Sequence, residues 1–266
     1  MKNKVSIYFL LVLGVLLSCS KDSDIIDPPN SVVDKSANLL ATGASARDIL
    51  SNTKFDKLLI EIAYVSGFRP AAETVTNFEE FLRERTFKED ISFIYTQLSS
   101  PNEETLTLEE IADLESENRT AYNNNGTLAI YIYFADAPSE SDDQSEGLVT
   151  LGAVYRNTSM IIYESTIREL VGNSILISVS DVETATLEHE FGHLFGLVNL
   201  GTASVNDHED PDAENHCNVE GCLMQAELQF GGPTMKLLES NASKGSAAVP
   251  ELDAECILDL QNNGGR

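Results

Sequence analysis

The stretch His189-Glu190-Phe191-Gly192-His193-Leu194-Phe195-Gly196-Leu197-Val198-Asn199 decides how this chain is read. Two histidines four apart on a helix stand one turn apart on one face, close enough to share a metal ion. Glu190 sits beside them, placed to take a proton from a water that the metal activates. The chain has four histidines in all, and every one falls between positions 189 and 216. The spacing points to zinc-assisted hydrolysis; the bland alternative is a pair of solvated histidines on an amphipathic helix.

The flanks support a helix. Ser180 and Glu183 have the spacing of a capping box, which predicts a helix start near Asp181. Leu187, Phe191, Leu194, Phe195 and Val198 recur at helical spacing as one apolar stripe. His189 and His193 then point away from that stripe, so one face is anchored in a core and the other looks into a cleft. A hydrolytic zinc needs a third protein ligand and an open position for water.

The run H-E-x-x-H-x-x-G resembles the metzincin pattern, in which the glycine ends the helix and a third ligand follows ten residues after the first. Here that position is Asn199, whose neutral amide is a poor zinc ligand, so Asn199 reads as a helix C-cap or loop residue. Downstream, His216-Cys217-Asn218-Val219-Glu220-Gly221-Cys222-Leu223-Met224 is similar to the segment that directly follows the helix motif in archaemetzincins. The resemblance implies that His216 is the third ligand and that Met224 forms a turn beneath the metal without binding it. The chain then looks like that arrangement with a seventeen-residue insertion after position 199. His208, inside the acidic stretch Asn206–Asp212, stays open as a third ligand, as do Asn199 and an acidic residue. Archaemetzincins place a second, structural zinc on two cysteines matched here by Cys217 and Cys222 plus a later C-x-x-C. This chain has no C-x-x-C, which leaves one zinc ion expected. The broader resemblance is to bacterial lipoproteins known as membrane metalloproteases. Its diagnostic part is 186–224, with softer phrases at 55–62 and 151–159. The resemblance implies an α/β (α+β) fold of metzincin type: a twisted mixed sheet, an active-site helix and a small C-terminal subdomain holding the Met turn.

The N-terminus reads as an address. Lys2 and Lys4 precede an apolar run from Tyr8 to Leu17, which leads into Leu16-Leu17-Ser18-Cys19, a lipobox. That run is too short to span a bilayer comfortably, so Cys19 becomes the lipid anchor of an outer-membrane lipoprotein, with surface and periplasmic faces both open. Lys21-Asp22-Ser23-Asp24 leans towards the surface. The expected organisation is a signal peptide at 1–18, a tether at 19–36 and a catalytic domain at 37–266, divided at 199/200. The formal charge is −26, and removing Lys2 and Lys4 with the signal makes it more negative still. Such a surface excludes nucleic acid and anionic bilayers as electrostatic partners and disfavours acidic substrates. Three cysteines remain for an oxidising compartment. Cys217–Cys222 is the slightly favoured disulfide, and Cys256 with either would staple the C-terminal helix to the site.

Hydrophobic patterning predicts strands at 57–65, 91–98, 127–135, 148–155 and 160–164, the last two as a hairpin. Helices are expected at 77–87, 107–122 and near 253–260, with a loop at 200–215. The acidic segment 138–146 reads as a solvated connector; calcium binding is the less favoured alternative, because no ordered ligand spacing is visible. The function that fits best is a monomeric zinc endopeptidase acting on protein or peptide, with Glu190 as general base. The alternative is a catalytically weak or inactive metal-containing binding lipoprotein. A zincin with a downstream Glu ligand ranks last, because no Glu-bearing helix follows His193 closely.

Overall fold

Near-continuous apolar runs belong to strands covered on both faces. The two richest, Lys57–Val65 (β1) and Thr127–Phe134 (β3), lie side by side in register at the middle of a five-stranded sheet. Asp90–Leu98 (β2) pairs with the other side of β1, and Ser159–Ile162 (β5) pairs with β3, all in parallel. Gly152–Arg156 (β4) closes the order β2-β1-β3-β5-β4 as an antiparallel edge. The structure, a computed structural model, describes residues 34–143, 148–172 and 174–266. The expected signal, Cys19, nearly all of the tether and residues 144–146 of the acidic connector therefore lie outside the described residues.

Strand alternation sorts the core into two layers. Ile60, Ile62, Ile130 and Ile132 face one way and pack with Phe78 and Phe191, which come from Ala72–Arg85 (α2) and Val179–Leu194 (α5). The Phe78 and Phe191 rings meet edge-on at 5.1 Å. Ala63, Val65, Tyr131 and Tyr133 face the other way, against Leu106 and the Ile111 of Leu108–Asn118 (α3). The result is a mixed α/β fold with helices on both faces of the sheet, and residues 34–266 form one compact unit. Glu61, fully buried in β1, accepts from the backbone N–H groups of Thr120 (3.0 Å) and Ala121 (2.7 Å), which fixes the chain leaving α3.

The helix that carries the histidines departs from its expected form in two ways. Its capping box is Ser178 with Asp181, not Ser180 with Glu183: Ser178 Oγ accepts from Asp181 N at 3.2 Å, and Asp181 accepts from Ser178 N at 2.7 Å. Ser180 and Glu183 turn towards α2 instead: Ser180 Oγ lies 3.0 Å from the Thr74 hydroxyl, and Glu183 accepts from Ala71 N (3.0 Å). The helix is also not amphipathic, since every residue from Val182 to Leu194 is buried. Tertiary packing on all sides replaces the solvent face that the stripe suggested.

Elsewhere the boundaries move for local reasons. α2 begins five residues before position 77, and its N-cap Ala71 has no side chain that could signal the start. α3 stops at Asn118 because Arg119 turns inward to Glu115 (2.7 Å) and the Ala129 carbonyl (2.8 Å). Residues 148–151 leave the expected hairpin, with Thr150 bridging Phe230. Glu164–Val171 (α4) and Gly231–Ser243 (α6) are not among the expected helices. The expected loop 200–215 holds a small hairpin of Glu209–Asp210 (β6) and Ala213–Cys217 (β7). Ala254–Asn262 (α7), capped by Asp253, closes the chain near the expected position.

Replacing Ser178 by Ala removes one half of the capping box. It should lower stability by about 1 kcal/mol in urea unfolding. An unchanged midpoint would mean that Asp181 alone holds the helix start.

Candidate metal centre

α5 ends in a tight reversal. Gly196, at φ +72°, donates to the His193 carbonyl, and Leu197 N donates back to Gly192 O, the paired bonds of a Schellman motif. A side chain at Gly196 would strike Thr202 N at 2.8 Å. Val198 and Asn199 continue in the left-handed region, which swings the chain away from the helix. Asn199 becomes a loop residue whose amide donates to Glu209 Oε2 at 2.7 Å. The third imidazole comes from β7. His189, His193 and His216 form a near-equilateral set, with ring centroids 4.9, 5.0 and 5.4 Å apart. One ligand nitrogen from each lies within 4.8 Å of the others.

The hydrogen bonds of these rings show which nitrogens are spare. His189 Nδ1 donates to the Leu223 carbonyl at 2.7 Å, and His216 Nδ1 donates to the Glu214 carbonyl at 2.9 Å. That leaves His189 Nε2 and His216 Nε2 buried with no partner, the orphaned atoms that a metal ion satisfies. Burial pushes His189 down to about 4 and holds His193 and His216 below the ordinary imidazole value. All three are neutral at pH 7, the state a metal ligand requires. The donor set fits zinc.

Glu190 is 2 % exposed, and burial pushes its carboxyl up to about 8, with the Val154 backbone N–H pulling the other way. That value suits a group that must take and return a proton near neutrality. Val154 belongs to the edge strand β4, so the sheet edge and the Glu190 carboxyl touch. Gly152 makes the approach possible, since a Cβ there would meet Glu190 Cγ at 2.7 Å. Met224 is fully buried, and its Sδ would lie 2.2 Å from a Cβ on Gly192, so it packs beneath α5 between the two helix histidines. Sequence reading passed over Val154, Gly152 and the carbonyls of Leu223 and Glu214. Gly192 did carry a signal, because glycine inside a helix costs about 1 kcal/mol relative to alanine and marks a close approach.

His208 does not join the three imidazoles. It is buried elsewhere, with Nε2 2.8 Å from Asp259 Oδ2 and Nδ1 3.3 Å from Cys217 Sγ. Its ordinary loop reading is corrected too: the residue is 2 % exposed. His208, Cys217, Asp253 and Cys256 form a second group with ligand atoms within 4.8 Å of one another. Cys222 Sγ lies 3.7 Å from Cys256 Sγ, and all three cysteines stand as free thiols. The absence of C-x-x-C therefore does not leave the cysteines scattered, because β7 and α7 bring them together.

No family model matches the chain, and no curated protein matches it. Among solved structures it is similar to an archaemetzincin from Methanopyrus kandleri, at 15% identity and a TM-score of 0.48 over 78% of this chain and 96% of that one.

The helix exit depends on Gly196. Gly196→Ala should destabilise the protein by about 1–2 kcal/mol from the left-handed backbone alone, with the contact at Thr202 N adding to it. Chemical denaturation reads this directly, and a stability equal to that of the parent would show that the chain leaves α5 by another route.

Proposed function

We propose that the chain is a zinc-dependent endopeptidase, a reading carried by the convergence of His189, His193 and His216 beside a buried Glu190. Zinc on the three imidazoles would supply Lewis acidity towards a water and the scissile carbonyl. The Glu190 carboxylate takes the proton of that water as its oxygen bonds to the carbonyl carbon, then passes it to the departing amine. The Leu223 and Glu214 carbonyls hold two of the rings in the tautomer that turns Nε2 inward. The edge of β4 offers an extended peptide a strand to lie along, next to Glu190. The acidic surface favours neutral or basic peptides.

The reading takes in a second ion in place of the single one expected. Cys217, Cys256, His208 and Asp253 supply the donors of a closed structural zinc site, and Asp259 behind His208 completes a carboxylate–histidine pair that orients Nδ1. We further place the chain as a monomeric outer-membrane lipoprotein anchored through Cys19, with protein or peptide as substrate and no nucleic-acid partner. Among the described residues no helix is long and apolar enough to cross a membrane.

Metal analysis should return two zinc ions for the parent and for Asn199→Ala. His216→Ala should keep only the thiol-bound ion and lose hydrolysis of unfolded casein, whereas His208→Ala should lose the other. Glu190→Ala should keep both ions and lose about two to four orders of magnitude in rate. Unchanged cleavage in that variant would overturn the mechanism with Glu190 as general base.

Cys19→Ser should abolish lipid labelling and release the protein from washed membranes. Continued fractionation with membranes would show a different anchor.

A further inference from the structure

A cavity of about 430 Å³ opens where the chain leaving β3 meets α4, away from the imidazoles. Asp136, Asp142 and Glu169 line it together with the hydroxyls of Ser165 and Thr166, and no Lys or Arg does. Asp136 Oδ1, Asp142 Oδ2, Ser165 Oγ and Thr166 Oγ1 are all buried with no hydrogen-bond partner. Thr166 as a whole is 7 % exposed. Burying such oxygens unpaired is costly, so four in one cavity ask for a ligand. Two features fix the residues in place. Asp142 Oδ1 accepts from Thr150 N at 2.7 Å, which turns Oδ2 free, and Ser165 N donates to the Ala135 carbonyl at 3.2 Å, which ties α4 to the end of β3.

We propose that this cavity binds a divalent cation of the calcium type, held by Asp136 and Asp142 with Ser165, Thr166 and Glu169 around it. The donors are oxygens throughout, which selects a hard cation over zinc or copper. The site is built from a loop and a helix turn, so it lacks the near-octahedral frame that magnesium demands. Three carboxylates outweigh the positive end of α4, which contributes only about half a charge. The cavity is wide enough for the ion to keep several waters, which places its affinity in the weak extracellular range of about 10⁻⁴–10⁻³ M. The acidic hollow at Asp207, Glu209, Asp210 and Glu214 differs, because it holds no buried oxygen without a partner.

Binding would brace the approach to the edge strand. Asp142 holds Thr150, two residues ahead of β4, and β4 carries the Val154 N–H that meets Glu190. The test uses full-length protein with Glu190→Ala, so that neither hydrolysis nor its failure enters the reading. Calcium at about 1 mM should raise the thermal midpoint where magnesium does not. Terbium should bind with emission sensitised by tyrosine, since the chain has no tryptophan, and calcium should displace it. Asp136→Asn with Asp142→Asn should weaken both effects by about tenfold or more. Glu169→Gln, on the exposed rim, keeps the fold safe and should weaken binding less. No calcium shift and no terbium displacement would overturn the proposal. So would an equal calcium effect in the double variant, which would move the ion to another acidic patch. Displacement of terbium by a lysine amide but not by calcium would assign the cavity to a basic side chain instead.

Discussion

A helix buried on every side must find a partner for each polar group it takes out of water, and the metal centre is the residue of how α5 meets that constraint. Ser178 and Asp181 satisfy its first turn. Glu183 is met by Ala71 N and the Thr74 hydroxyl. Glu164 of α4 lies against Glu183, and burial with that neighbour pushes it up to about 9, so it stays protonated and the two carboxyls coexist. His189 uses one nitrogen on the Leu223 carbonyl. Glu183 Oε1 and Thr186 Oγ1 stay unpaired further up α5, and His189 Nε2 and His193 Nδ1 stay unpaired at the imidazoles, where a cation would supply the missing partner.

The same constraint explains why the sheet is arranged as it is. β1 and β3 are covered on both faces and leave no room for chemistry, so reactive groups collect beyond the antiparallel edge. β4 is short and lies directly on α5, with Gly152 letting the two come within contact of Glu190. A bulkier residue at 152 would force the edge strand and Glu190 apart. The sheet thus fixes the distance between its own open edge and the buried Glu190 carboxyl.

Much of this was legible in the sequence where a local pattern had a single physical meaning. The apolar runs of β1 and β3 read as strands, and H-E-x-x-H put His189, Glu190 and His193 on one helix without any tertiary information. Legibility failed where tertiary contacts decide. Ser180-x-x-Glu183 and Ser178-x-x-Asp181 both look like caps, and only the packing of α2 shows which pair is taken. The apolar stripe suggested a half-exposed helix, because sequence periodicity does not register that Thr184, Thr186 and Glu188 are also covered. His208 looked like an ordinary loop residue among acids, since its partner Asp259 lies 51 positions away.

The segment between Asn199 and His216 brings a third imidazole to the two on α5 from a separate element. Once Gly196, Val198 and Asn199 have turned the chain, a ligand at 199 would need to point back at the helix, and Asn199 points instead to Glu209. Glu209 opens the β6–β7 hairpin and also accepts from Asn215 N at 2.7 Å, so the same carboxylate ties the helix exit to the strand that carries His216. Cys217 N then bonds the Met224 carbonyl at 2.8 Å, which closes β7 onto the turn beneath α5. Three short-range bonds thus replace one direct step along the chain. The hairpin is held at both ends, and His216 inherits its position from that clamp and not from its distance in sequence to His193.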